Sequence, residues 1–407
     1  MTKTTDIAVV GGGLNGSLMA LALTRAGFDV TLIDPAPVPR RKTPTAFDGR
    51  AYAMAQTSVN LLKNLDLWDA IAAEAQPINE IKVTDGRAGE GPSPFFMHFQ
   101  SAEMGSPGPM GHMVEDRHLR IALSQGLKAQ GRLDWWGEER AVAQTLAPAG
   151  ITLTTDTGKS LTARLAIGCD GRTSGTAQRA GIRRTSWSYD QTGLVCAVAH
   201  EKPHGGIAHQ FFMPGGPLAI LPLTGNVSSI VWSEEAGKAS TLAASDDATF
   251  LNALRPAFGS FLGEIALKGQ RQAFPLGLTL ANQFIADRVA LVGDAAHGIH
   301  PIAGQGLNAG IKDIAALAQT LTEARQRGLD PGSRTVLGGY SAARRFDATV
   351  LSLATDTFNR LFSNDNGLVR LTRDLGMGVV NALPGLRRGF MREAAGLSGD
   401  LPPLLRA

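Results

Sequence analysis

The sequence predicts an α/β protein in which a parallel, Rossmann-like sheet is interrupted by antiparallel strands and followed by C-terminal helices. Three observations predict it. A strand–turn–helix–strand unit occupies residues 6–34, with a G-x-G-x-x-G turn between strand and helix. Two later stretches, 165–174 and 288–313, again run from a short apolar strand into an acidic, glycine-rich turn. Between them, from 181 to 275, apolar residues alternate in short segments divided by Pro and Gly, as antiparallel strands do. At 407 residues, two interleaved domains are the natural expectation.

In chain order, Ile7 to Val10 is the first strand and Gly11, Gly13 and Gly16 form the turn. Leu14 to Ala26 is an apolar helix closed by Gly27, and Phe28 to Ile33 is a second strand ended by Asp34. The glycines let a pyrophosphate approach the helix N-terminus, while Asp34 can accept a hydrogen bond from an adenosine ribose hydroxyl. A carboxylate there would repel a 2′-phosphate, so FAD or NAD fits and NADP does not. Arg40, Arg41 and Lys42 read as a solvated loop, and Ser58 to Leu67 as a helix with Leu61, Leu62 and Leu65 on its core face.

Residues 77–113, with Phe95-Phe-Met-His-Phe99, read as strands and loops of a second region inserted into the first. Glu115-Asp-Arg117 opens a helix whose early acids suit its dipole; Arg120, one turn on, reads as surface. Leu165 to Asp170 is a strand ending on an acid, with Cys169 a buried strand residue rather than a reactive thiol. In the alternating region Gln210, Phe212 and Leu221 are picked as pocket-facing. Val289 to Val292 is a strand, Asp294 follows it, and Asn308 to Leu321 is a helix; Gly304 and Gly306 let backbone approach a ligand. His297 and His300 stand three apart, but no third ligand has suitable spacing, so no metal site is expected.

Composition narrows the classes. A net charge of +3 is too small to argue for nucleic acid. The tail from Arg360 onward, with seven arginines and four acidic residues, holds that whole excess. There Leu368, Leu371 and Leu375 share a helical face beside Arg370 and Arg373, and Arg387, Arg388 and Arg392 form a basic cluster. The plain reading is a docked helix with a solvated face; the sharper one is a contact with anionic lipid or a partner. Two cysteines cannot make a disulfide framework, which points to a reducing, intracellular compartment. No apolar run approaches the roughly 20 residues of a spanning helix. The expected place is the cytoplasm, with peripheral contact at the inner membrane as the sharper expectation.

The string Gly293-Asp-Ala-Ala-His297, then Pro301, then Gly304-Gln-Gly-Leu-Asn308 resembles the second flavin signature of single-component FAD aromatic hydroxylases. These are proteins of the para-hydroxybenzoate hydroxylase type. The G-x-G-x-x-G turn and Asp170-Gly171 resemble that family's other two signatures, in the right order. The string at 293–313, and residues 356–396, most resemble the ubiquinone-biosynthesis branch. The resemblance implies an FAD domain of residues 1–75, 100–180 and 275–340, a substrate domain of 76–99 and 181–274, and a C-terminal helical region of 341–407. It implies FAD contacts at Gly11, Gly13, Leu14, Asn15, Gly16 and Asp34. Arg50 and Arg117 would meet the phosphates and Val142 the adenine. Asp170, Asp294, Gly304, Gln305, Gly306, Leu307 and Asn308 complete the set, and the Pro301 loop packs beside the isoalloxazine and the substrate.

The implied reaction is ring hydroxylation of a polyprenylated phenol. NAD(P)H, a transient co-substrate, reduces the flavin, and O2 then gives a flavin hydroperoxide that attacks the ring; no acid–base residue is assigned. The implied partners are the substrate and a membrane or quinone-biosynthesis complex met through the basic C-terminal region. Three alternatives stay open. One is a hydroxylase of a small soluble aromatic acid, which would want a cationic anchor such as Arg183, Arg184 or Arg271. The others are a flavin reductase of prenyl chains and an inactive FAD-binding scaffold.

Overall fold

The computed structural model describes residues 3–39, 46–87, 89, 91–104, 108–147, 149–299, 304–362 and 383–407. Pro301, His300, the basic loop of Arg40, Arg41 and Lys42, and the Leu368–Leu371–Leu375 face with Arg370 and Arg373 lie outside the described residues.

Two large sheets organise the chain. In the first, five parallel strands lie in the order Val289–Leu291, Ser160–Gly168, Lys3–Val10, Val30–Asp34, Leu133–Gly137. Ile7 to Val10 is buried on both faces, which is why it reads as a continuous apolar run rather than an alternation. The helix Leu14–Arg25 is likewise apolar around most of its girth, because other helices cover its outer side. The hairpin of Ala141–Ala147 and Gly150–Thr155 adds antiparallel to the strand Ser160–Gly168.

The second sheet has eight strands: His297–Gly298, Ile265–Ala281, Arg184–His200, Val227–Glu235, Gly216–Leu223, Ile207–Met213, Glu80–Arg87 and Gly91–Gln100. Strands from residues 80–100 thus join strands from beyond residue 184. One pairing is parallel, Ile207–Met213 with Glu80–Arg87, because residues 80–100 enter as a separate hairpin at the sheet's edge. Helices Ala236–Ala244 and Asp247–Phe258 cover one face through Leu242, Phe250, Leu254 and Phe258. Asp246 caps the second of them by accepting a hydrogen bond from Thr249 N at 2.7 Å. Neither helix is foreseen above: small residues weaken the signal of the first, while the second shows its period in Phe250, Leu254, Ala257 and Phe258 but carries an internal Pro256.

A three-stranded sheet of Ala51–Ala55, Gly111–Glu115 and Gln76–Ile78 lies between the large ones. Arg50 precedes the strand Ala51–Ala55, which pairs antiparallel with Glu115 to Gly111, and the helix after it runs Gln56–Asn64, starting two residues before Ser58. The chain passes from the first large sheet to the second within residues 292–296, through a short turn that carries Asp294. The 29-residue helix Arg334–Phe362 then spans both bodies. Buried Tyr340 donates its hydroxyl to Leu291 O at 2.6 Å, and farther along Asp356 accepts from Trp187 Nε1 at 3.0 Å. Arg387 pairs with Glu103, whereas Arg388 and Arg392 are exposed. No helix among the described residues is long and apolar enough to cross a membrane.

Candidate active site

The glycine turn forms because two backbones must nearly touch. Gly11 has φ +101°, and a Cβ there would meet the Cys169 carbonyl oxygen at 2.5 Å; a Cβ on Gly16 would collide with the Gly11 carbonyl. Beyond this tight packing the turn opens outward. The helix Leu14–Arg25 starts at Gly13 with no side-chain cap, and a Cβ built on Gly13 meets nothing within 4 Å. Its free N–H groups and dipole therefore face open space, as an anion site needs. The Asp34 carboxylate accepts from Gly12 N–H and, through Oδ1, from Ala36 N–H at 2.7 Å. Two backbone donors fix its orientation and leave lone pairs for ribose hydroxyls.

Beyond Asp34 runs a groove of about 680 Å³ lined in part by Pro37, Val38, Arg50, Arg117, Arg120 and Gly137. A carboxylate orients each arginine in it. Arg50 bonds Asp48 through Nε at 2.8 Å and Nη2 at 2.6 Å. Arg117 Nε reaches Glu115 at 2.5 Å, with its guanidinium 5.6 Å from the Phe47 ring centre. Arg120 Nε donates to buried Asp116 at 2.5 Å, and Tyr52 donates to the other Asp116 oxygen at 3.0 Å. Partial burial alone would depress Arg50, but Asp48 and Asp116 lift its pKa above the ordinary guanidinium value. Burial, then Asp116, push the Tyr52 hydroxyl up. Each guanidinium has five N–H donors, more than one carboxylate can engage. Arg120 is exposed, as read above, and from the helix beginning at Asp116 it also lines the groove. Val142, half-exposed, stands in the strand Ala141–Ala147.

Several residues of the signatures are framework. Asp170 accepts from Ser174 Oγ, Thr176 N at 2.9 Å and Thr176 Oγ1 at 2.8 Å, so its carboxylate holds the turn after Gly171. Buried Asn308 accepts from Ala55 N at 2.9 Å and Ser58 Oγ at 2.7 Å, and donates to Ala53 O at 2.9 Å and Gly304 O at 3.0 Å. The Asn15 amide wedges against Gly293 and Gly310, joining the first signature to the last. Leu14 and Leu307 pack against the main core. Gly304, at φ +64°, starts the helix Gln305–Gln326 without a side-chain cap, with half-buried Gln305 next and open space around Gly306.

Asp294 is part-exposed, its Oδ2 3.4 Å from Arg172 Nε, while Arg172 Nη2 donates to Ile299 O at 2.9 Å. Arg172, Tyr52 and Asp116 are missing from the sequence-derived set. Asp116 does stand in the Glu-Asp-Arg string, but there it looked like an ordinary first-turn acid. No group of three or more His, Cys, Asp or Glu among the described residues is placed to hold a metal.

On the second sheet, register puts Gln210, Phe212 and Leu221 on one face, opposite Phe211, Met213 and Leu218, which meet the helices. Leu221, Ala51 and Ala53 pack against one apolar cluster, and a Cβ on Gly304 would meet Ala53 Cβ at 3.0 Å, so the strand Ala51–Ala55 connects this face to Gly304. Arg271 lies on the helix side, donating to Ser245 O at 2.6 Å and stacked 4.9 Å from the Phe250 ring. Arg184 is tied to Arg172 O at 2.7 Å, and Arg183 is exposed.

Comparison with known proteins agrees with this geometry. Residues 4–350 match a family model described as an FAD binding domain. The chain is 42% identical to the ubiquinone hydroxylase UbiL of Rhodospirillum rubrum, across 99% of this chain and 93% of that protein. It is 34% identical to the 3-demethoxyubiquinol 3-hydroxylase of Escherichia coli, across 97% and 99%. The crystal structure of p-nitrophenol 4-monooxygenase PnpA from Pseudomonas putida superposes with a TM-score of 0.79 at 20% identity, covering 98% of this chain and 99% of that one. The uncapped helix start at Gly13, the oriented Asp34 and the arginine-lined groove fit the phosphates and ribose of FAD. The chain belongs to the family of FAD-binding aromatic hydroxylases that includes the ubiquinone hydroxylases.

Proposed function

We propose that this protein hydroxylates the aromatic ring of a polyprenylated phenol in ubiquinone biosynthesis, with FAD as cofactor and NAD(P)H and O2 as co-substrates. When bound, FAD supplies the redox chemistry, taking hydride from the nicotinamide and activating oxygen for insertion into the ring. The chain's residues bind and orient. Asp34 would hold the adenosine ribose, Arg50, Arg117 and Arg120 the phosphates, and Val142 the adenine through its backbone. Asp294 would hold a flavin-side hydroxyl beside the helix start at Gly304 to Gly306. The face of Gln210, Phe212 and Leu221 would seat the phenol and exclude water, since water at the ring releases oxygen as peroxide. Pro301 belongs to the same proposed pocket on resemblance alone.

The observation that carries the reading is the 42% identity to UbiL over almost the full chain. The site supports a neutral, apolar substrate: Arg184 and Arg271 are engaged elsewhere and Arg183 points outward, so none of them anchors a soluble acid at the Leu221 face. A lipid-borne substrate also calls for a route to the bilayer. Exposed Arg388 and Arg392 are the proposed contact with anionic lipid or with a quinone-biosynthesis complex. Deleting the gene in its host and extracting lipids tests the reading. A polyprenylphenol lacking one hydroxyl is expected, and its structure names the ring position. Normal quinone with no precursor would overturn it.

A further inference from the structure

Asp313 has no exposed surface, yet it carries a charge among apolar neighbours. Its Oδ2 accepts from Gly293 N at 3.0 Å and faces His297 Nε2 at 2.5 Å; its Oδ1 accepts from Arg344 Nε at 2.9 Å. Arg344 is 5% exposed and comes from the long C-terminal helix, one turn after Tyr340, which bonds Leu291 O. One helix therefore holds the strand end directly through Tyr340 and, through Arg344, holds the carboxylate that grips the turn that follows. His297 Nδ1 has no hydrogen-bond partner among the described residues, so its hydrogen bonding there runs through Asp313.

The arrangement is informative because of what lies between the tethers. Gly293 immediately precedes Asp294, and His297 follows it by three residues. One carboxylate oxygen thus pins both ends of the short link between the two large sheets, and Asp294 rides on that link. A buried ion pair is a poor way to gain stability, since desolvation offsets most of the attraction, but its directional bonds fix geometry well. Its removal should be felt where the pinned segment acts.

We propose that Asp313, His297 and Arg344 form a positioning unit for Asp294, which sets how tightly FAD is held and how fully NAD(P)H oxidation is coupled to ring hydroxylation. The unit touches neither cofactor nor substrate. It acts through the turn 293–297, and it rests on the reading of Asp294 as a cofactor contact.

The test uses purified holoenzyme and four variants: His297→Phe, His297→Gln, Arg344→Gln and Asp294→Ala. Phe keeps a ring but no donor, while Gln can place an amide N–H near the position of Nε2. FAD dissociation is read by flavin fluorescence, coupling by peroxide released per NAD(P)H, and the visible flavin band reports the local environment. Losing a hydrogen bond to a charged group is worth roughly 1.5–3 kcal/mol, about 10- to 100-fold in an equilibrium. His297→Phe is expected to weaken FAD about tenfold with more peroxide, and His297→Gln to stay within about threefold of the native protein. Arg344→Gln reaches Asp313 from the other side and is expected to weaken FAD, which keeps the test open if His297→Phe does not fold. A double variant separates positioning from general loosening. In an Asp294→Ala background the effect of His297→Phe on FAD affinity should largely vanish, whereas a merely structural loss would add. Unchanged affinity in both His297→Phe and Arg344→Gln, failure of His297→Gln to rescue, or full additivity overturns the proposal. Unchanged affinity in Asp294→Ala alone overturns the reading beneath it.

Discussion

Asn308→Ala should reveal how firmly the last signature is bolted to the rest of the site. The side chain is 4% exposed and makes four hydrogen bonds, two as acceptor from Ala55 N and Ser58 Oγ and two as donor to Ala53 O and Gly304 O. Alanine leaves the backbone groups without these partners, while the Ser58 hydroxyl can rotate to another. At about 1 kcal/mol net per bond, with one bond partly recovered, the loss is about 3–4 kcal/mol. With an unfolding entropy of about 2.1 cal/mol/K per residue over a chain of this length, that lowers the melting midpoint by about 4 °C. Asn308→Asp sharpens the test. The carboxylate keeps the acceptor side but sets a charged oxygen against Ala53 O and Gly304 O, so it should destabilise at least as much. Urea unfolding of both variants, each with and without added FAD, gives the numbers. A loss below about 1 kcal/mol for Asn308→Ala would refute the claim that this side chain, rather than the surrounding apolar packing, holds the helix start in place.

Three further outcomes are expected. Gly16→Ala places a methyl group into the Gly11 carbonyl, so the protein should purify without bound FAD, read as loss of the visible flavin absorbance. Arg120→Ala removes a groove cation and leaves buried Asp116 with fewer donors; FAD affinity by titration should fall about tenfold or more. The contribution of the Asp313–His297 pair to stability should be greatest between about pH 4 and 6.5. Burial would raise Asp313, but His297 and Arg344 hold its carboxyl below the ordinary range, so its contribution is full above about pH 4 and fades as pH falls through the folded value. Burial would lower His297, but Asp313 holds it above the usual imidazole value, so that contribution is full below about pH 6.5 and fades as pH rises through the folded value. His297→Gln should remove the alkaline part of this profile in urea unfolding measured across pH.

Local chemistry was the legible part of the sequence. The first βαβ unit could be read because strand, turn, helix and acid follow within some thirty residues, and each has its own period or turn residue. The alternation at 207–223 likewise put Gln210, Phe212 and Leu221 on one face, since a strand's side chains change sides at every residue. What escaped depends on partners far away in the chain. Arg120 is exposed, as its string suggested, but its place in the groove depends on the distant Pro37–Pro39 segment. Arg344 sits in a helical string of ordinary polarity, and only its contact 31 residues back with Asp313 gives it a role. Asp170 and Asn308 were found by resemblance, but their hydrogen-bond sets, which make them framework, follow from the fold alone.

The strand order of the first sheet has a consequence for how the chain is made. Lys3–Val10 lies at the centre, yet its second neighbour is Ser160–Gly168, and the strand beyond that is Val289–Leu291. During synthesis the first strand waits for some 150 residues with one edge unpaired, a template for wrong pairing. The helix Leu14–Arg25, apolar around most of its girth, waits longer for the cover provided by Gln305–Gln326. The second sheet gains most of its strands and both of its helices before residue 290 emerges. Such long-range closure makes folding slow and exposes sticky intermediates. The packing of Asn15 against Gly293 and Gly310 is therefore among the last things to form, and FAD bound as proposed would act on folding only at the end.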